Sequence, residues 1–159
     1  IDAKKNDFSE ILSLNQKAMP AVSFMNEESL HYFHNVSEYF KLIKRGNENK
    51  IYGFLIGLTD KLNYKSENYL WFSKRYSSFM YVDRIVIQEN SMGLGLGTML
   101  YNDLIYYSKD KFKNIICEYN IKPMNFVSKK FHEKFGFKRV GNQKTEGGTK
   151  EVLMMEYSL

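Results

Sequence analysis

The chain has 159 residues, 43% hydrophobic and 16% aromatic, the size and make-up of one globular domain with a buried core, so a single domain over 1–159 is expected. No apolar run approaches the ~20 residues of a membrane span, Ile1-Asp2-Ala3-Lys4-Lys5 is not followed by the apolar stretch of a signal peptide, and the lone Cys117 excludes an internal disulfide, so a cytoplasmic, reducing location with no membrane partner is expected. The net charge of +5 is dispersed in short pairs such as Lys4-Lys5, Lys44-Arg45 and Lys129-Lys130, without the basic run and interleaved aromatics of a strand binder, so no nucleic-acid partner is expected.

In chain order, Asp7-Phe8-Ser9-Glu10 opens a helix that runs toward Met19 and is stopped by Pro20. A second helical pattern runs from Asn26, its N-cap, to Lys44, with Leu30, Phe33, Phe40 and Ile43 at helical spacing. Gly46-Asn47-Glu48-Asn49 reads as a hairpin turn leading into a buried strand over 51–58. Residues 60–78 are polar apart from Tyr69-Leu70-Trp71-Phe72, which predicts a long loop carrying a short helix; long ordered loops often bind. A strand over 79–87 ends in the β-branched run Ile85-Val86-Ile87.

Three glycines at alternate positions follow, Gly93, Gly95 and Gly97, and then a helix over 95–111 with Leu100, Leu104 and Tyr107 on one side. Strand, glycine loop and helix together suit an anion: glycine lets the backbone approach it, and the first helical turn points unpaired N–H groups at it. The spacing is neither that of a P-loop nor Gly-x-Gly-x-x-Gly, and a glycine-rich turn feeding a core helix without a ligand is the alternative. A strand over 114–120 contains Cys117, read as a small buried hydrophobe rather than a catalytic thiol. A helix over 123–134 has Pro123 in its first turn and Gly136 at its end. It places Asn125, Ser128 and His132 on one face, as a ligand wall or a solvated stripe, with Val127 and Phe131 toward the core. Two strands close the chain, the last over 151–157 after the Gly147-Gly148 turn, and the whole order is mixed α/β.

Met92-Gly93-Leu94-Gly95-Leu96-Gly97 resembles the Gln/Arg-x-x-Gly-x-Gly/Ala loop of the GNAT superfamily of N-acetyltransferases, and Asn125, Ser128, Phe131-His132 and Gly136-Phe137 resemble its later motif. The resemblance spans nearly the whole chain, the first half only in its order of elements. Tyr81-Val82-Asp83-Arg84, Cys117-Glu118 and Phe131-His132 look more narrowly like an uncharacterised bacterial subgroup of predicted acetyltransferases. The resemblance implies an acyl-CoA N-acyltransferase fold: a largely antiparallel sheet with two splayed parallel central strands, flanked by helices. It also implies acetyl-CoA as co-substrate, no metal, and acetyl transfer to a primary amine of a small molecule or protein by direct attack on the thioester. A homodimer is possible in such a family, and a non-catalytic acyl-CoA-binding module is the alternative.

By the same resemblance, backbone N–H groups of Gly93, Leu94, Gly95, Leu96, Gly97 and Thr98 would hold the pyrophosphate. Met92 heads that loop where Arg or Gln is usual, which removes one side-chain contact. Ile85, Val86 and Ile87 would pair with the pantetheine arm as an added strand, and the Ile87 N–H would polarise the thioester carbonyl. Asn125 and Ser128 would bind from the other side. His132, where many members have tyrosine, is the candidate acid or a neutral cofactor contact. Asp83 and Glu118 are candidate bases, with a structural ion pair as the alternative for Asp83-Arg84. The acceptor would be set by the two N-terminal helices and residues 60–78.

Overall fold

The computed structural model describes all residues, Ile1–Leu159. Its six strands hydrogen-bond in the order β1-β2-β3-β4-β6-β5, where β1 is Tyr39–Lys44, β2 Ile51–Thr59, β3 Phe79–Ile87, β4 Asn114–Lys122, β5 Lys138–Thr145 and β6 Lys150–Ser158. The helices are α1 Phe8–Lys17, α2 Glu27–Val36, α3 Glu67–Ser73, α4 Leu96–Ser108 and α5 Phe126–Phe135. This is the mixed α/β class expected, mostly antiparallel with one parallel pair, β3 with β4. The chain divides into two compact units, residues 1–58 with 82–106 and residues 59–81 with 107–159, so β3 contributes to both.

In the first unit α1 buries Phe8, Ile11 and Leu14 and ends short of Pro20, as the sequence indicates. Asp7 accepts from the Lys4 N–H (3.0 Å) and pairs with Lys44. Asn26 caps α2 by accepting from the Ser29 N–H at 2.8 Å. The expected helix from Asn26 to Lys44 is too long. At Ser37 the backbone turns extended (ψ 134°) while its N–H and hydroxyl both bond the Phe33 carbonyl, at 2.9 and 2.6 Å. Phe40 and Ile43 lie in β1, paired antiparallel with β2 across the turn at Gly46 (φ +57°). Aromatic and β-branched residues on a half-buried strand prevail there over a helical spacing. On β2, a side chain at Gly53 would begin 2.7 Å from the Ile87 side chain and 2.9 Å from the Val86 carbonyl oxygen, so β2 and β3 meet there without a spacer. Leu100, Tyr101 and Leu104 bury one side of α4, which stops at Ser108 rather than 111.

In the second unit the parallel register runs from Phe79↔Asn114 to Tyr81↔Ile116, while β3 continues to Ile87 and β4 to Lys122. β6 lies between β4 and β5, antiparallel to both. Side chains alternate across this sheet. On one face α3 packs Tyr69 edge-on to Phe79 and Tyr81, and Trp71 against Gly141. On the other α5 lays His132 over Tyr119 and Phe135 against Tyr157, which Phe137, just past the helix, also meets. α5 begins at Phe126, not at Pro123, because Asn125 is its N-cap and accepts from the Ser128 N–H at 3.1 Å. Gly136 closes it in the left-handed region (φ +114°), as expected. Val127 was expected toward the core but is 64% exposed. Cys117 is buried, as expected of a small hydrophobe.

Candidate active site

In the first unit the chain leaves β3 when the Gln88 N–H bonds the Tyr52 carbonyl at 2.8 Å. A tight turn through Ser91 delivers it to Gly93 (φ +80°) and Gly95 (φ +78°). A side-chain carbon built on either glycine would meet nothing within 4 Å. These glycines serve a left-handed backbone that faces open space, not a close protein contact. The Met99 N–H bonds the Gly95 carbonyl at 2.9 Å, making Gly95 the cap of α4. The N–H groups of Leu96, Gly97 and Thr98 therefore have no acceptor within the helix. No acidic residue lies in that first turn to neutralise its positive end. Met92 and Leu94, 51% and 72% exposed, flank the turn as apolar side chains that add no charge. Such a set of backbone donors suits an anion.

Along β3, Ile85 and Ile87 are half-exposed and alternate with the buried Arg84 and Val86. Because Gln88 donates to β2, alternation turns the N–H groups of Ile87 and Ile85 to the other edge of the strand. Val86 thus offers its side chain to the core, and the backbone of Ile85 and Ile87 is what β3 presents there. Asp83 is held differently. Its Oδ2 accepts from Arg84 Nε at 2.8 Å, with both side chains at most 5% exposed. Arg84 also donates to Asn15 Oδ1 (2.8 Å) and the Ser23 carbonyl (3.1 Å), tying β3 to α1 and the loop beyond it. This is the structural ion pair named above as the alternative.

Glu118, in the second unit, is reached by a phenol and an amide. Its Oε1 accepts from the Tyr81 hydroxyl (2.8 Å) and from Asn68 Nδ2 (3.1 Å), and Gln143 Nε2 donates to Asn68 Oδ1 at 3.2 Å. The sequence named Glu118 but missed Asn68, Tyr81 and Gln143 as its neighbours. Register alone could have suggested Tyr81, since it pairs with Ile116, two residues before Glu118 on the same face.

His132 and Ser128 do meet: Nδ1 lies 2.8 Å from the Ser128 carbonyl oxygen and 3.1 Å from its hydroxyl. The ring is 3% exposed, stacked on Tyr119 with Phe131 and Phe137 edge-on. Burial pushes its pKa down to about 4, and the hydrogen bond to the Ser128 carbonyl only partly opposes this. At pH 7 the imidazole is neutral. A carbonyl only accepts, so Nδ1 carries the proton and Nε2 has none to give. That state counts against His132 as an acid. Asn125 spends its side-chain oxygen on capping α5, and the Ser128 hydroxyl sits against His132. Glu118 faces α3, whereas Tyr119 faces α5 and its His132, so Glu118 and His132, two of the three expected proton-transfer residues, lie against opposite faces of β4.

No group of three or more His, Cys, Asp or Glu side chains is arranged to hold a metal. No helix is long and apolar enough to cross a membrane.

The sequence pattern of the acetyltransferase (GNAT) family matches residues 8–137. No curated protein matches the chain. Among solved structures the chain is similar to Ard1 from Thermoplasma volcanium (TM-score 0.78, 11% identity, covering 100% of this chain and 95% of that one). It is also similar to NAA60 of Arabidopsis thaliana in complex with acetyl-CoA (0.74, 16%, 100% and 98%). A third is a ribosomal-protein-alanine N-acetyltransferase from Brucella melitensis (0.70, 18%, 100% and 98%). At these identities the likeness is one of fold. The chain belongs to the acetyltransferase (GNAT) family and is an acetyl-CoA-dependent N-acetyltransferase.

Proposed function

We propose that the protein transfers the acetyl group of acetyl-CoA to a primary amine, of a small molecule or a protein, by direct attack on the thioester. One observation carries the reading: the left-handed Gly93 and Gly95 open onto a helix start whose N–H groups have no partner in the helix. The backbone from Gly93 to Thr98 would hold the pyrophosphate, and Met92 would contribute no charge. The backbone of Ile85 and Ile87 would pair with the pantetheine amides, with the Ile87 N–H donating to the thioester carbonyl. One such donor contributes roughly 3 kcal/mol when it is aimed at the developing oxyanion. Asn125 and Ser128, engaged within α5, would contribute a wall rather than free donors.

Glu118 is the base in this reading. The amine nitrogen bonds to the acetyl carbon, the carbon–sulfur bond breaks, the thiolate leaves with the electron pair, and the amine proton passes to Glu118 directly or through water. A thiolate departs without strong acid help, so a neutral His132 is compatible with turnover. Asp83 stays in its ion pair. Similarity to an enzyme named for a ribosomal-protein alanine supports placing peptides with a free N-terminal alanine first in an acceptor panel, beside polyamines.

Calorimetric titration with acetyl-CoA tests the cradle. Gly95→Asp, which puts a carboxylate where the diphosphate would lie, should weaken binding by more than about tenfold. Unchanged affinity would move the cofactor elsewhere.

A further inference from the structure

The segment between β2 and β3 is more than a connection. Its helix α3 is locked to the second unit by Tyr69 and Phe72, which are 1% and 0% exposed. The Tyr69 hydroxyl donates to the Thr59 carbonyl (2.8 Å) and accepts from the Leu62 N–H (3.0 Å), so the helix is fixed to its own approach. Asn68 is the residue before this anchor, and it points its amide at Glu118.

The hydrogen bonds there have only one sense. Asn68 presents Nδ2 to Oε1, the amide N–H donating and the carboxyl oxygen accepting. Its Oδ1 must then accept, and Gln143 on β5 supplies the donor. Gln143 thereby fixes which end of the Asn68 amide faces Glu118. The Tyr81 hydroxyl is the other donor to the same oxygen. One donor would leave the carboxylate free to swing about it, whereas two donors from different elements define its plane.

We propose that Asn68, oriented by Gln143, is a positioning residue for acetyl transfer, holding the Glu118 carboxylate in the rotamer that takes the amine proton. The proposal rests on Glu118 being the base, as read above. Its consequence is that α3, and not the sheet alone, sets the geometry of proton removal.

Two measurements test it. In the first, thiol release from acetyl-CoA is followed with a peptide bearing a free N-terminal alanine and with spermidine. Asn68→Ala should lower kcat about tenfold, and Gln143→Ala about threefold, with KM for acetyl-CoA within about twofold of wild type. In a Glu118→Gln background, adding Asn68→Ala should cost no further activity, although a purely structural role would cost the same in both backgrounds. The second needs no acceptor. The carboxyl carbon resonance of Glu118, identified by its loss in Glu118→Gln, should move in Asn68→Ala and, less, in Gln143→Ala. Gln143 is half-exposed on an edge strand, so its variant tests the idea even if Asn68→Ala misfolds. A resonance unmoved in both variants overturns the proposal, and so does an equal kcat loss in both backgrounds. Wild-type turnover in Glu118→Gln would instead overturn the base assignment, and the proposal with it.

Discussion

Asp83 and Glu118 are both carboxylates on inner strands, yet the chain treats them in opposite ways. Asp83 has a guanidinium 2.8 Å away, and that guanidinium is in turn held by Asn15 and Ser23. Glu118 accepts from a phenol and an amide, neutral donors that orient it. A buried ion pair braces a strand but gives up reactivity, whereas neutral donors keep a carboxylate aimed and available. On the proposed reading, which carboxylate does chemistry is decided by its partners more than by its own type.

The comparison can be broken most sharply at Glu118. Glu118→Gln keeps the shape and removes the proposed base, so kcat should fall about a hundredfold or more while the melting temperature changes little. Steady-state kinetics beside a thermal melt checks this, and equal kcat would end the catalytic side of the contrast. Asp83→Asn should do the reverse. It leaves Arg84 buried without its counter-charge and should cost about 3 kcal/mol of stability, measured by urea unfolding, with kcat per folded molecule within about threefold. A collapse of kcat at unchanged stability would reverse the roles assigned to the two residues.

A smaller effect concerns His132, buried among aromatic rings. Its folded pKa, about 4, lies below the ordinary 6.5. Between these values the unfolded chain binds more protons, so stability rises with pH across that window and is flat above it. His132→Phe should therefore lose less stability than wild type when the pH falls from 7 to 4.5, by about 2 kcal/mol in urea titrations. Equal losses would mean that the imidazole is more hydrated than its packing indicates.

Much of this was legible in the sequence where local chemistry decides. Gly93 and Gly95 need a left-handed backbone, Asn26 caps a helix, and Ile85-Val86-Ile87 prefer a strand, so the loop and its flanking elements could be read directly. The Asn26–Lys44 stretch misled because Phe33 and Phe40 keep a helical interval across a break set by Ser37 and by pairing with β2. The company of Glu118 was hidden for a further reason. Asn68, Tyr81 and Gln143 converge only once β5, β6 and β4 are in register and α3 has settled on that face. The charge state of His132 was equally invisible, because it follows from burial among aromatic rings and not from the motif position.

Gly53 has a consequence that reaches beyond its own strand. With no room for even one methyl group before the Val86 carbonyl and the Ile87 side chain, β2 acts as a backstop that fixes the tilt of the peptide planes ending β3. Those planes aim the Ile87 amide. Under the proposed function, a residue with no reactive atoms would thereby govern the angle at which the thioester carbonyl is met, and enlarging it would detune the enzyme from behind.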